Sequence, residues 1–445
     1  MTYSEAVAYL DSLAQFGWKL DLARIERLCE LAGHPERRFP SILVGGSAGK
    51  GSTCALLSAI LRAAGLRVGT APKPHLHTHR ERVQIDGELI PAERFAELMA
   101  RIRPLAEQVT REEGSPTVFE VMTLLSFLQF AEERVDVAVV EVGLGGRFDA
   151  TNVLTPEVAV ITTIGLDHTD RLGDTVEQIA FEKAGIIKPA GRVVTGAVGG
   201  ALEVIETAAR ERGAEIRRLG HEVRLENVRA SAAGTQFDLL APEGELCDLL
   251  TQLAGEHQAH NAALAVAAAL WLRPRWPVLT DGAIRRGLRD AAIPGRLQVV
   301  RAEPLVLVDG AHSPDRADAL ARALRQLYLP GRAGRVTLVI GCSQGHAPAE
   351  VVSRLAPLAD RILATRSRHP AAISAADVAE AVRNAPPGAR ARVIEAVEPV
   401  SAAVERALAD AGPGDTIVVT GSLFAAGEAL ETLGAEPRDR LESKP

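Results

Sequence analysis

At 445 residues the chain exceeds what one hydrophobic core usually supports, so two domains are expected. With 50 basic against 57 acidic residues the net charge is −7, which gives no general basis for nucleic-acid binding; any attraction for an anion must be local. Cys29, Cys54, Cys247 and Cys342 lie far apart without a C-x-x-C pair, which argues for reduced thiols and against a disulfide frame or zinc site. The N-terminal stretch MTYSEAVAYLDSL has no basic and apolar signal-peptide pattern, and the longest apolar run, residues 262–272, is too short for a membrane helix. A soluble, cytoplasmic protein without nucleic-acid or membrane partners is expected.

Apolar runs of strand length alternate with helical patterns, the signature of βαβ units and a mostly parallel sheet. Residues 41–44 read as a strand, followed by a Gly-rich turn and a helix over 52–64 that stops at Gly65. Residues 135–142 and 158–164 read as buried strands, 175–184 as a helix and 192–195 as a strand. Residues 217–250 break the rhythm. Their alternation, with Gly234 and Pro242-Glu243-Gly244 as turn signals, predicts antiparallel hairpins attached to the first domain. An alanine-rich helix follows over 261–272, ended by Pro274.

Ile293-Pro294-Gly295 is the predicted linker, dividing the chain into domains 1–294 and 295–445. Strands at 305–308, 336–340, 361–364, 392–394 and 416–419 then alternate with helices. The predicted architecture is α/β: a P-loop ATPase domain with a mostly parallel sheet, then a smaller open, Rossmann-like α/β domain. The charged last ten residues are expected to fray.

Between the first strand and helix lies Gly45-Gly46-Ser47-Ala48-Gly49-Lys50-Gly51-Ser52-Thr53. Glycines let a backbone fold around phosphate oxygens, with N–H groups and a helix N-terminus facing the anion. Lys50 supplies a mobile positive charge, and the hydroxyl of Ser52 or Thr53 is a candidate Mg²⁺ ligand. The strict G-x-x-x-x-G-K-[ST] pattern fails, because Val44 takes the first glycine position and Gly51 separates lysine from hydroxyl. The strand–loop–helix context favours nucleotide binding through Gly46, Gly49, Lys50, Gly51, Ser52 and Thr53 over a plain flexible turn.

The form G-x-x-G-K-G-S after a strand resembles the loop of the Mur ligase superfamily. Its folylpolyglutamate/dihydrofolate synthase branch is resembled by an ordered set of stretches running from Phe16-Gly17 to Gly421-Ser422. The most specific are residues 119–153, IGLDHTDRLGDTVEQIAFEKAGIIKP (164–189), HQAHNAALA (257–265), PGRLQVV (294–300) and DGAHSP (309–314). The resemblance implies an ATP-dependent ligase that joins L-glutamate to a folate-like carboxylate. A carboxylate needs a better leaving group than oxide, which an acyl phosphate supplies, and the anionic reactants demand Mg²⁺ and fixed cations. A monomer acting on small molecules is expected.

The resemblance further implies Ser52 and Glu141 on one magnesium and His168 on a second, with Lys183 matching a carbamylated lysine. Carbamylation requires a partly neutral amine, which burial or nearby cations favour. Taken singly, these residues have ordinary readings: a salt bridge for Glu141, a capped loop for His168, a solvated helix end for Lys183. Thr117, Phe119, Asp149 and Ala150 are carried over as pterin-side contacts, although Phe119 reads equally well as core. Asn261, Arg296, Asp309 and His312 are carried over for ATP, and Arg82 is a candidate partner for a substrate carboxylate. Ser422 is a candidate glutamate contact or an ordinary helix cap. His75, His77 and His79 would share one face if their segment were a strand, but incidental histidines are the preferred reading.

Four places depart from the family pattern: Ser47-Ala48 for threonine–asparagine, Lys73 for a serine, Ser313 for an asparagine, and Gly345-His346-Ala347 for an aspartate–lysine–aspartate run. These departures bear more on substrate identity than on ATP chemistry. They keep open a ligase for another carboxylate or amino acid; a non-catalytic ATP-binding relative is a third reading. Gly143–Gly146 is no dinucleotide fingerprint, since Phe148 stands where the last glycine is needed.

Overall fold

The computed structural model describes residues 1–13, 21–345, 347–384 and 393–435. Phe16-Gly17 of the resemblance, His346 of the departing run, Arg392 of the expected strand 392–394 and the last ten residues lie outside that set. The chain divides into two compact units, Met1–His75 with His79–Ala292, and Leu76–Thr78 with Ile293–Pro445.

The first unit is built on eight strands: β1 (Ser41–Gly45), β2 (Val68–Ala71), β3 (Gln84–Ile85), β4 (Glu88–Leu89), β5 (Val137–Glu141), β6 (Val158–Ile161), β7 (Arg192–Thr195) and β8 (Glu215–Arg218). Their order is β4-β3-β2-β5-β1-β6-β7-β8. The six strands from β2 to β8 in that order pair in parallel, and β3 and β4 add an antiparallel edge. Strands β1, β5 and β6 are buried along their whole length, as their near-continuous Val, Ile and Leu require in a sheet covered on both faces. The chain leaves β1 toward β2, returns through β5 and crosses to β6. Their C-terminal ends therefore border a crevice of the kind in which open α/β sheets bind ligands.

The predicted hairpins are present as the antiparallel sheet β9 (Arg224–Ser231), β10 (Gly234–Ala241) and β11 (Gly244–Thr251). Residues 217–218 belong instead to β8, at the parallel edge. The alanine-rich helix begins earlier than expected, at Glu256, and runs to Trp271. Its alanines are buried, so its apolar composition reflects enclosure within the unit. Among the described residues no helix is long and apolar enough to cross a membrane.

The second unit carries β12 (Gln298–Arg301), β13 (Leu305–Val308), β14 (Val336–Ile340), β15 (Arg361–Ala364), β16 (Val393–Ala396) and β17 (Thr416–Thr420), in the order β12-β13-β17-β14-β15-β16. All pair in parallel except β12 with β13. Its core packs Val306, Val308, Val339, Leu363, Val404, Val419 and Leu430.

Residues 73–78 form no strand, and His79–Arg82 is a single 3-10 turn. The one-face argument for His75, His77 and His79 thus loses its premise. Pro74 removes a backbone donor from this run, which the pairing of a strand would need. His77 meets Glu431 at 3.2 Å, while the His75 and His79 rings lie 4.6 Å apart. All four cysteines are free thiols.

Candidate active site

The phosphate-type loop leaves β1 at Gly45 and enters the helix Lys50–Ala63 through Gly49, whose φ of 86° lies in the left-handed region. A Cβ at Gly49 would stand 2.2 Å from Asn261 Oδ1, and one at Gly46 would stand 1.8 Å from Thr162 Oγ1. These two close approaches are why the loop needs glycine there. They also bring Asn261, from the alanine-rich helix, against the loop. Asn261 is held in turn by its Nδ2, which donates to Gln258 Oε1 at 3.0 Å.

The loop is braced from β6. Thr162 Oγ1 donates to the Ala48 carbonyl at 2.6 Å, and Ser47 N donates to the Thr163 carbonyl at 2.8 Å. Ser47, a departure from the family pattern, keeps a hydroxyl that donates to the Gly165 carbonyl at 3.0 Å. Gly49 provides no side-chain cap, so the first N–H groups of the helix are left for an anion.

Two ammonium groups converge on one carbonyl. Lys50 Nζ and Lys183 Nζ each donate to the Gly46 oxygen at 2.9 Å. Lys183 is only 3% exposed, which excludes the solvated helix end. Burial, reinforced by the Lys50 charge, lowers its pKa to about 7.

Glu141, the last residue of β5, is buried beside the start of the same helix. A Cβ at Gly51 would lie 3.7 Å from its Oε2. That oxygen accepts from Lys73 N at 2.8 Å, and Lys73 Nζ donates to the Glu141 main-chain oxygen at 2.6 Å. Buried Thr53 Oγ1 has no hydrogen-bond partner among the described residues. A carboxylate and helix-start hydroxyls are hard oxygen donors, the set that suits Mg²⁺, so these residues fit one such ion. His168 differs. It follows β6 by a longer connection, with φ of 51° and its side chain 54% exposed beside Asp167 at 3.7 Å. Among the described residues no three His, Cys, Asp or Glu side chains converge as a metal site.

Phe119 and Asp149 meet at Gly143, where a Cβ would lie 2.8 Å from Phe119 Cζ and 3.0 Å from Asp149 Oδ2. The Asp149 carboxylate is already engaged by Gly143 N, Leu144 N, Thr151 N and the Thr151 hydroxyl, at 2.5–3.0 Å. It therefore fastens the loop after β5 to the turn that begins at buried Ala150. Thr117 caps the helix Val118–Glu132 in a capping box with Glu120, which also forms a buried ion pair with Arg24. Lys73 Nζ lies 3.8 Å from the Phe119 ring centroid, and Arg82 Nε donates to His75 Nδ1 at 2.9 Å.

In the second unit the Asp309 carboxylate accepts from Leu297 N and Ala311 N, both at 2.8 Å. Arg296 exerts a charge on it that opposes the upward push of burial on its pKa. His312 Nδ1 meets the Gly310 carbonyl at 2.8 Å, and Arg316 reaches its Nε2 at 2.9 Å. Arg296, Asp309 and His312 thus belong to one neighbourhood. Ser422 Oγ accepts from Ala425 N at 3.0 Å, which makes it a helix cap.

Sequence reasoning missed Thr162 and Gln258, which brace the loop and Asn261. No local pattern marks them, because each acts across a sheet or along a helix on a residue distant in the chain or identified separately. Lys73 was legible as a departure from a family pattern, but its inward ammonium was not.

The chain matches the Mur ligase middle domain over residues 44–269 and the Mur ligase, glutamate ligase domain over residues 295–423. It is 38% identical over 383 residues to the dihydrofolate synthase/folylpolyglutamate synthase of Bacillus subtilis, covering 85% of this chain and 88% of that one. With the protein of the same name from Mycobacterium tuberculosis it shares 35% identity, covering 94% and 91%. The fold superposes on the M. tuberculosis folylpolyglutamate synthase complexed with ADP with a TM-score of 0.86, at 32% identity, covering 98% of this chain and 100% of that one. For E. coli FolC in complex with DHPP and ADP the TM-score is 0.85, at 32% identity and 98% coverage of each chain. Nearly full-length similarity, both Mur ligase domains and the glycine loop at the end of β1 agree: the chain belongs to the folylpolyglutamate/dihydrofolate synthase family of Mur ligases.

Proposed function

We propose that this protein is an ATP-dependent amide ligase that adds L-glutamate to the carboxylate of a folate or dihydropteroate, releasing ADP and phosphate. The observation that carries this reading is the uncapped glycine loop after β1, with Lys50 and Lys183 on one carbonyl and Glu141 beside the helix start.

An acceptor carboxylate oxygen bonds to the γ-phosphorus while the bond from that phosphorus to the β–γ bridging oxygen breaks, giving an acyl phosphate and ADP. The glutamate amine then attacks the acyl carbon, phosphate leaves, and the amine loses a proton to solvent. Loop N–H groups and the Lys50 ammonium hold the phosphates and oppose the charge of the transferring group. Asn261 supports the nucleotide beside Gly49. Ser52 and Glu141 would hold Mg²⁺. When bound, that ion supplies positive charge on the phosphate oxygens.

His168 is proposed for a second ion, together with a carbamate on Lys183. The buried Lys183 amine, with its pKa near 7, is suited to take up CO₂ because much of it is neutral at physiological pH. Arg296, Asp309 and His312 are proposed nucleotide contacts. Phe119, Thr117, Asp149, Ala150 and Arg82 form the proposed acceptor side, with Asp149 acting through the loop it fastens. Ser422 is proposed as a glutamate contact through its O–H, since its oxygen only accepts from Ala425 N. The protein is read as a cytoplasmic monomer, and its free thiols suit a reducing compartment.

The Lys73 ammonium over Phe119 favours a second reading, the same mechanism with a more anionic or non-folate acceptor. A panel of carboxylate and amino-acid pairs, followed by ADP and phosphate release, tests both. Turnover with dihydropteroate or tetrahydrofolate and glutamate supports the first reading. Turnover only with another pair supports the second, and none with any pair overturns the ligase assignment.

A further inference from the structure

Lys73 takes part in no step above, yet it grips Glu141 twice. Its main-chain N–H donates to the carboxylate at 2.8 Å, and its Nζ donates to the main-chain oxygen at 2.6 Å. The same ammonium lies 3.8 Å from the Phe119 ring centroid, a favourable seat for a cation. It is held between a carbonyl dipole and an aromatic face, so it cannot swing away from Glu141 without losing both. The charged groups whose fields reach it are Asp149, Glu141 and Arg82.

A divalent ion on the Glu141 carboxylate meets this resident positive charge. Like charges a few ångströms apart in a partly desolvated site repel strongly, more than enough to weaken ion binding by an order of magnitude. The hydrogen bond from Lys73 N also occupies part of the capacity of Oε2. The serine usual in the family at this position carries no charge.

We propose that Lys73 is a built-in cation that shares Glu141 with the divalent ion and sets a weak ion affinity at this position. The inference rests on the reading of Glu141 as an ion ligand. Lys73 acts through Glu141, so it is a positioning and charge-supplying residue.

The test is binding of Mn²⁺ alone to the full chain without nucleotide, with free ion measured by electron paramagnetic resonance. Lys73→Ser and Lys73→Met, each checked for unchanged melting behaviour, are expected to bind Mn²⁺ about tenfold tighter than wild type. Lys73→Arg, which keeps the charge, is expected to remain within threefold of wild type. Serine and methionine variants that match wild type, whether all bind or none does, overturn the proposal. So does an arginine variant that gains affinity as they do, because loss of the charge would then not be the cause. Adding Glu141→Gln to Lys73→Ser separates the two layers of the argument. Loss of the gained affinity supports both layers. A gain that survives Glu141→Gln overturns the reading of Glu141 itself, and the proposal with it.

Discussion

After β1 the chain passes through Gly46–Gly49 into the helix Lys50–Ala63; after β17 it passes through Gly421 and Ser422 into the helix Leu423–Thr432. Both turns follow a buried parallel strand and use a glycine with positive φ, 86° at Gly49 and 102° at Gly421. They differ in what meets the helix N-terminus. Gly49 offers no side chain, whereas Ser422 Oγ caps Ala425 N at 3.0 Å. The four leading N–H groups of a helix must find acceptors. A serine supplies one from within the fold, while a bare glycine leaves the demand to a ligand and the dipole reinforces the choice of an anion. A similar strand–turn–helix passage therefore ends in a bare, left-handed glycine N-cap in one place and in an extended serine that caps its own helix in the other.

The strongest way to break this contrast is to remove charge from the first turn. Lys50→Ala is expected to abolish ligation by raising the barrier about 3–5 kcal/mol, read as ADP release with the accepted substrate pair. Activity within tenfold of wild type would remove the basis for phosphoryl transfer at this loop.

Lys183 sharpens the comparison, since among the described residues no lysine ammonium is hydrogen-bonded to the second turn as Lys183 is to Gly46. Lys183→Ala is expected to cost about 3 kcal/mol of barrier, and a small carboxylic acid to restore part of the rate. Carbamylation needs the neutral amine, and the folded pKa is about 7 against an ordinary 10.5. Loading from ¹³C-bicarbonate should therefore be present above about pH 7 and lost as the pH falls through that value. A label that appears only near pH 10, or not at all, would leave Lys183 as a buried ammonium.

Gly49→Ala tests the bare cap itself. The new Cβ would fall 2.2 Å from Asn261 Oδ1 at a φ of 86°, and strain of this kind costs about 1–3 kcal/mol. Nucleotide affinity measured by calorimetry should weaken roughly tenfold to hundredfold. An unchanged Kd would mean that Asn261 yields and is no fixed part of the nucleotide site.

The smallest effect belongs to the second turn. Ser422→Ala should cost about 1 kcal/mol of stability in a denaturant titration through loss of the cap. If the O–H also serves glutamate, the KM for glutamate should rise about fivefold. Lost stability with an unchanged KM reduces Ser422 to a joint.

The sequence was legible where the physics is local. Alternating apolar runs announced the parallel strands, and β7, β13, β14 and β15 fall where those runs do. Gly65, with φ of 85°, stops the first helix as expected, and the hairpin turns lie at Gly234 and Gly244. Short β3 and β4 gave no signal, because two-residue strands carry too little pattern and depend on the neighbour they extend. The alternate spacing of His75, His77 and His79 gives no common face for a related reason: their segment forms no strand, and periodicity has meaning only inside a regular element.

By itself, then, the sequence determined the class of fold, the position of the glycine loop and the kinds of donor on offer, since backbone freedom, apolar period and side-chain chemistry belong to each residue. Tertiary structure alone decided which donors meet. Lys50 and Lys183 lie far apart in the chain yet share the Gly46 carbonyl, and enclosure rather than residue type moves the Lys183 pKa toward 7. Asp149 turns its carboxylate onto backbone N–H groups, and Lys73 turns its ammonium onto Glu141 and Phe119. Burial and distance set the strength of every charge in the site, and neither can be read until the strands have brought their ends together.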